Sequence, residues 1–328
     1  MKKIIFILTS FACTGSLWAQ DPTDALRYSW TISSGTARQQ AVGGAMASLG
    51  GDLSATFVNP AGLGFYKTGD FVVSPGFNLW KNKATYNGRV EKDDRKYVSF
   101  GTSDLVIGSG TQKDRKGRNS NSAFALAINR SANVGSNLLY RGVNNQSSYS
   151  HKFLEEINGV RDANAVASNY PFGTSLAFNT YWIDTVAGGS SGNYQFQTRA
   201  PFATGLIQEN VVESRGGVTE LALGFAHVTN DKWFWGFTLG VPFLHYDRTS
   251  TFTEADATTD ANNKFDYAVY TQNLETRGSG INMKMGFIYK PVEYVRLGLA
   301  FHTPSFYRLN DQYSASVTTN TESYQGTM

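Results

Sequence analysis

The sequence predicts an all-β protein, an antiparallel transmembrane β-barrel, on three observations. Of 328 residues only 17% are charged, where a soluble domain carries about 25%. Aromatics reach 14% and 33 residues are glycine. Apolar residues recur at every second position through several segments, while mean hydropathy is −0.30 and nothing beyond the leader approaches the ~20 consecutive apolar residues of a membrane helix. The chain also opens on a secretory leader.

That leader spans 1–19: Lys2 and Lys3, an apolar stretch from Ile4 to Ala12, then small residues toward Ala19. Cleavage there leaves Gln20 and Asp21 at the head of the mature chain. A membrane anchor is the alternative, but the apolar stretch is too short to span. Lipid attachment at Cys13 is a second alternative, set back by the poor match of Ser10-Phe11-Ala12. Without its leader the chain holds no cysteine, which suits an oxidising compartment.

Residues 20–69 are rich in Gly, Ala, Ser and Thr, with no sustained alternation. Within them Asn59 to Gly64 reads as a sharp turn. Pro60 fixes φ, Gly62 and Gly64 permit positive φ, and the Asn59 side chain can bond the backbone that follows. The residues alone leave open a plug or an ordinary lead into a first strand at Phe71.

Strands are expected over 70–130 and 206–328. Phe71, Val73, Phe77 and Leu79 share a face, and Phe124, Leu126 and Ile128 oppose Ala123, Ala125 and Ala127. Tyr97 to Gly108 is mixed on both faces. Leu221, Leu223 and Phe225 alternate with small residues. The clearest run sets Trp233, Trp235, Phe237, Leu239, Val241 and Phe243 against Phe234, Gly236, Thr238, Gly240 and Pro242. Ile281 to Tyr289 and Val295 to Phe301 repeat the pattern. A soluble β-sandwich alternates too. Aromatics at strand ends and opposite faces of Gly, Ala and isolated charges fit an interfacial girdle and a lumen better.

Residues 131–205 form a long polar insertion, expected outside the cell because such barrels place long loops there. Phe153, Leu154, Ile157 and Val160 are spaced for a short helix within 151–167. Asp256 to Asp266 reads as a second outer loop and lacks the spacing of a calcium loop. Roughly 190 residues remain for strands, about eight at ~23 residues per strand and connection. A closed eight-stranded barrel is filled by its own side chains and cannot hold a plug. The last residues, 324–328, make no closing amphipathic strand, so the chain is expected to stop within a barrel.

Chemistry is not expected. His151, His227, His245 and His302 form no metal-binding pair, and no Gly-x-Ser-x-Gly or phosphate loop occurs. A net charge of +3 does not call for nucleic acid, and one cysteine builds no zinc site. No enzyme activity, cofactor or metal is therefore expected. Lys284 and Arg296 share inward parity on neighbouring strands. Either could meet a ligand carboxylate or a carboxylate of the protein, and Arg38 carries the same two readings. Phe234 and Ile288 interrupt otherwise small or polar inward faces, as lining of a greasy pocket or as packing against a plug.

Several motifs then fall in one order: Ala37-Arg38, Gly43-Gly44-Ala45, Asp52, Ala55 and Asn59-Pro60-Ala61-Gly62-Leu63, followed by Val218-Thr219-Glu220, Trp235-Gly236 and Gly240-Val241-Pro242-Phe243. Gly278-Ser279-Gly280-Ile281-Asn282, Tyr289-Lys290-Pro291, Arg296-Leu297-Gly298 and His302-Thr303-Pro304 complete the set. Together these resemble the FadL/TodX-type outer-membrane transporters of long-chain fatty acids and aromatic hydrocarbons. The resemblance implies a fourteen-stranded barrel, of which this chain supplies about eight strands, plugged by an N-terminal hatch. The hatch carries Asn59, Pro60, Ala61, Gly62 and Arg38. It further implies passive passage of hydrophobic small molecules across the outer membrane of a Gram-negative bacterium, by a monomer whose partners are that ligand and membrane lipid. A structural or adhesive barrel whose large loop binds a surface partner is the alternative.

Overall fold

The computed structural model describes residues 22–31, 35–113, 116–190, 192–258, 260–322 and 324; the leader and the lipid-attachment alternative at Cys13 lie outside them. Residues 22–31 belong to a unit of their own, with helix α1 (Pro22–Ser29). The rest of the described chain forms the second unit. It begins with α2 (Ala37–Ala41), α3 (Ala55–Val58) and a 3₁₀ turn over Pro60–Phe65. Strands follow: β1 (Asp70–Val72), β2 (Pro75–Tyr86), β3 (Arg89–Phe100), β4 (Ser103–Gly108), β5 (Gln112–Lys113), β6 (Asn119–Asn133) and β7 (Ser136–Asn144). An insertion carries α4 (Ser150–Glu156), α5 (Ala163–Asn169), α6 (Thr174–Asn179), β8 (Ile183–Thr185) and β9 (Phe196–Thr198). Then come β10 (Leu206–Thr229), β11 (Trp233–Asp256), β12 (Tyr267–Val292), β13 (Val295–His302) and β14 (Phe306–Asn320).

The sheet is antiparallel throughout. Its main path runs β1-β4-β6-β10-β11-β12-β13, with β7 on β10 and β14 on β12. β10 pairs β6 along one half and β7 along the other, and β12 does the same with β13 and β14. Twelve of the fourteen strands among the described residues therefore amount to seven long spans, 70–86, 89–108, 112–144, 206–229, 233–256, 267–292 and 295–320, in a meander; β8 and β9 pair with each other inside the insertion. Seven replaces the eight expected from length, because β10, β11 and β12 run 24 to 26 residues and use more chain per span. Connections at one end are short, at 230–232 and 293–294; those at the other include the 145–205 insertion and the 257–266 loop.

The insertion starts later than 131, since 131–144 continue the third span through β6 and β7. The break between them, at Val134 and Gly135, hides that continuity from a periodicity reading. Nor is 151–167 one helix: Gly159, with φ of +87°, ends the first turn, and Asp162 caps a second helix through Asn164 N–H at 2.9 Å. These helices bury Phe153, Ile157, Val166 and Trp182 against Leu206, Phe252 and Tyr270 of the spans. At the centre of this cap Glu254 accepts from Tyr149 N–H (2.9 Å), Gln208 Nε2 (2.8 Å), Trp182 Nε1 (3.3 Å) and Ser148 Oγ. Burial nevertheless pushes its carboxyl up.

One face of the sheet is bare and apolar over half its height. Cross-strand partners align Leu105, Leu126, Leu223, Leu239 and Met283 in one row, and Ile107, Phe124, Phe225, Phe237, Met285 and Phe301 in the next. Trp233, stacked on Tyr289 at 4.1 Å, borders this band at one end and Phe243 at the other. Beyond Phe243 the same face turns charged, with His245–Asp247 at 2.9 Å, Arg215–Glu213 at 3.3 Å and an Arg277–Glu275 pair. A water-soluble protein would bury such a band.

Candidate functional site

The opposite face is covered. Its central row is built of the two smallest residues across six strands: Gly108, Ala123, Ala226, Gly236, Gly286 and Ala300 lie side by side. This row makes a shallow trough, and the Pro60–Phe65 turn lies in it, touching β6, β10, β11 and β12. A Cβ on Gly236 would fall on the Pro60 carbonyl and within 2.5 Å of Ala61 N. One on Gly286 would fall on Asn59 Oδ1, and one on Gly224, in the adjacent row, would come within 2.8 Å of Leu63 Cδ1. Ala61 and Leu63 are fully buried by this fit.

Asn59 is the joint of the turn. Its Oδ1 accepts from Ala61 N–H at 3.1 Å, while Nδ2 donates to Ala47 O at 2.6 Å and faces the carbonyls of Phe287 and Leu299 at 3.4 and 3.3 Å. Gly62 and Gly64 do not take the positive φ expected of them. They serve close approach: Gly62 lies against Gly50 and Ala55, and Gly64 against Val228 and Phe234. Positive φ belongs instead to Gly43, Gly44, Gly50 and Gly51, where the segment doubles back. Arg38 closes that fold by donating to Gly51 O at 2.8 Å, and Asp52 accepts from Thr36 Oγ1 and Ser54 N–H, both at 2.9 Å.

The four residues singled out as ligand contacts all touch the protein itself. Lys284 is buried in an ion pair with Glu220, with Asn282 Oδ1 at 2.8 Å and the Phe57 ring at 5.8 Å. Arg296 donates to Leu49 O at 2.6 Å and lies 4.5 Å over the Phe65 ring. Phe234 stacks on Phe65 at 4.3 Å, and Ile288 is fully buried in the same cluster with Ala61 and Val228. His302 contacts Val58 O at 2.9 Å. These residues hold the N-terminal segment to the sheet.

Sequence reading missed the partner Glu220 and a carboxylate on β4. Asp104 is 2% exposed; Oδ2 accepts from Thr56 Oγ1 at 2.8 Å and Oδ1 has no partner. It also missed a gap in the sheet. β4 pairs β6 only as far as Ile128, after which β3 leaves the ladder. The β2–β3 hairpin, turned at Asn87 and Gly88 by two positive φ angles, lies instead on β7 and reaches β10 through the Tyr86 and Arg95 side chains. Tyr86 OH reaches Gln208 Oε1 at 2.6 Å, and Asn87 Nδ2 reaches Val143 O at 2.8 Å. Gly216 and Gly217, with φ of +112° and +150°, and a register shift at Val218/Thr219 bend β10 at this level. The resulting cavity of about 430 Å³ is lined by Arg95, Phe100, Ile128, Arg130, Gly135 and Thr219 among others.

No family model matches the chain, and no curated protein matches it. Among solved structures, the CymD monoaromatic hydrocarbon channel is 10% identical, with 91% of this chain and 99% of that one covered and a TM-score of 0.21. A mutant of the Rh. blastica porin is 11% identical, with 75% and 100% covered and a TM-score of 0.09. At these scores the likeness bears on neither fold nor function.

Proposed function

We propose that the chain forms the wall and plug of an outer-membrane channel that passes hydrophobic small molecules by diffusion. The observation that carries this reading is the pairing of a bare apolar band with a covered face that seats an internal segment. Eleven residues make up the run from one border of the band to the other, Trp233 to Phe243. At ~3.3 Å per residue and a tilt of ~40°, they span a band ~25 Å tall, the height of a barrel's lipid-facing belt. A barrel in lipid leaves no free edge. In this reading the outer sides of spans 70–86 and 295–320 are therefore paired in the inserted protein.

Residues 35–65 act as the hatch, and the gap at β3 and β6 is the side door through which an apolar solute leaves for the bilayer. Both supports are local: the seat of Asn59 to Phe65 in the Gly/Ala trough, and the interruption of the ladder beyond Ile128. The seat favours this function over an adhesive barrel, in which the segment would hang free of the sheet. Catalysis has no part in it. The test is conductance in planar bilayers together with uptake of a labelled hydrocarbon by cells. Deleting residues 35–65 should raise conductance; unchanged conductance would make the segment packing rather than a plug.

A further inference from the structure

We infer that the gap between β3 and β6 binds a phosphate-headed lipid of the surrounding leaflet, held by Arg130 and Arg95. This rests on the membrane-barrel reading above. Arg130 stands opposite Thr219, which stands opposite Phe243, so it occupies the row at the upper border of the apolar band. Ile128, exposed and apolar, is one step below it in the band. A side chain there is level with lipid headgroups, where an anion is at hand and bulk water is scarce.

Neither guanidinium has an acidic partner among the described residues. Arg130 donates to Thr219 Oγ1 at 2.9 Å; Arg95 donates to Asn137 Oδ1 at 3.1 Å and to the Ser214 carbonyl. Neutral acceptors satisfy some of their N–H groups and leave both charges uncompensated. By contrast Arg141, Arg215 and Arg277, on the upper parts of the spans, each lie within 4 Å of a glutamate. Two unpaired cations lining one partly enclosed cavity are costly unless an anion joins them. A phosphate presents several oxygens to two guanidinium forks. The cavity, at about 430 Å³, admits such a head and the upper part of a chain, and Ile128 and Phe100 give that chain an apolar wall.

The test is native mass spectrometry of the full chain in detergent, titrated with phosphatidylglycerol, phosphatidylcholine or inorganic phosphate. One equivalent of phosphatidylglycerol should bind at least tenfold more tightly than phosphatidylcholine. Arg130→Gln and Arg95→Gln should each weaken it about tenfold, as loss of a charge-assisted bond does. Thr219→Asp, which supplies a carboxylate and removes no arginine, should do the same. Arg308→Gln, on the far edge of the sheet, should leave binding unchanged. Equal binding of the two lipids, retention of selectivity in Thr219→Asp, or equally tight binding of inorganic phosphate would each overturn the inference. Insertion into vesicles, followed by heat-modifiable gel mobility, separates the outcomes. A chain that inserts but does not discriminate refutes the lipid site alone; one that does not insert refutes the membrane reading.

Discussion

Gly236→Ala should unseat the N-terminal segment without disturbing the sheet. The new Cβ would lie on the Pro60 carbonyl and 2.5 Å from Ala61 N. Backbone atoms cannot step aside as a side chain end can, so the turn must rise by about 1 Å to reach ordinary contact. A gap of that size forfeits about a quarter to a half of the dispersion contact at the seat. Leu63 and Phe65 are the large side chains affected, each worth about 1.5–3 kcal/mol when buried. Adding the weak Asn59 bonds to Phe287 O and Leu299 O, the seated state should lose about 2–4 kcal/mol. The unseated fraction then grows about 30- to 700-fold. Thr238 reports it: its side chain is fully buried in the row beneath the segment and its hydroxyl has no partner, so Thr238→Cys is nearly silent. With Cys13 removed, the rate of maleimide labelling at Cys-substituted 238 measures the open fraction. Labelling at the wild-type rate in Gly236→Ala would refute the fit of turn to trough.

Three further outcomes are expected. Lys284→Met should destabilise the protein by about 3–5 kcal/mol, because Glu220 is left as a buried unpaired charge, and adding Glu220→Gln should recover most of it in urea unfolding; no recovery would mean that the pair is not coupled. Leu239→Arg should cost about 2–4 kcal/mol of stability in a bilayer if that row lies near its midplane, and much less in Thr249→Arg on the charged part of the same face; equal costs would contradict the band. Burial holds the folded Glu254 carboxyl above its ordinary 4.5, so its contribution to the cap is full below that value and is lost as pH rises through the higher folded value. Limited proteolysis of 145–205 should therefore quicken with pH in this window, and Glu254→Gln should flatten the trend; parallel pH profiles would refute it.

The legible part of this fold was the part governed by a period of two. Trp233 to Phe243, Ile281 to Tyr289 and Val295 to Phe301 all lie in strands, with their large apolar residues on the bare face except Phe234 and Ile288. The faces read as Gly and Ala proved to hold the trough, but which glycines meet which backbone depends on register across six strands. Register is a property of pairing and is invisible along one strand. The same limit hid Glu220 from Lys284, since they lie 64 residues apart and on spans separated by β11. The Asn59–Gly64 turn was recognised, while the purpose of its glycines was misjudged: a glycine kept for closeness and one kept for φ look alike in sequence. The third span was cut short at 131 because the bend at Val134 and Gly135 interrupts its alternation.

The central claim is that the two faces of the sheet meet different surroundings, lipid on one and the plug on the other. Single cysteines placed one at a time from Phe237 to Val241, in a chain lacking Cys13 and reconstituted in vesicles, test it most directly. Labelling by a lipid-phase maleimide should alternate, strong at 237, 239 and 241 and weak at 238 and 240, with a water-soluble maleimide reaching none of the five quickly. Strong lipid-phase labelling at 238 and 240, or rapid aqueous labelling at 237, 239 and 241, would contradict the account.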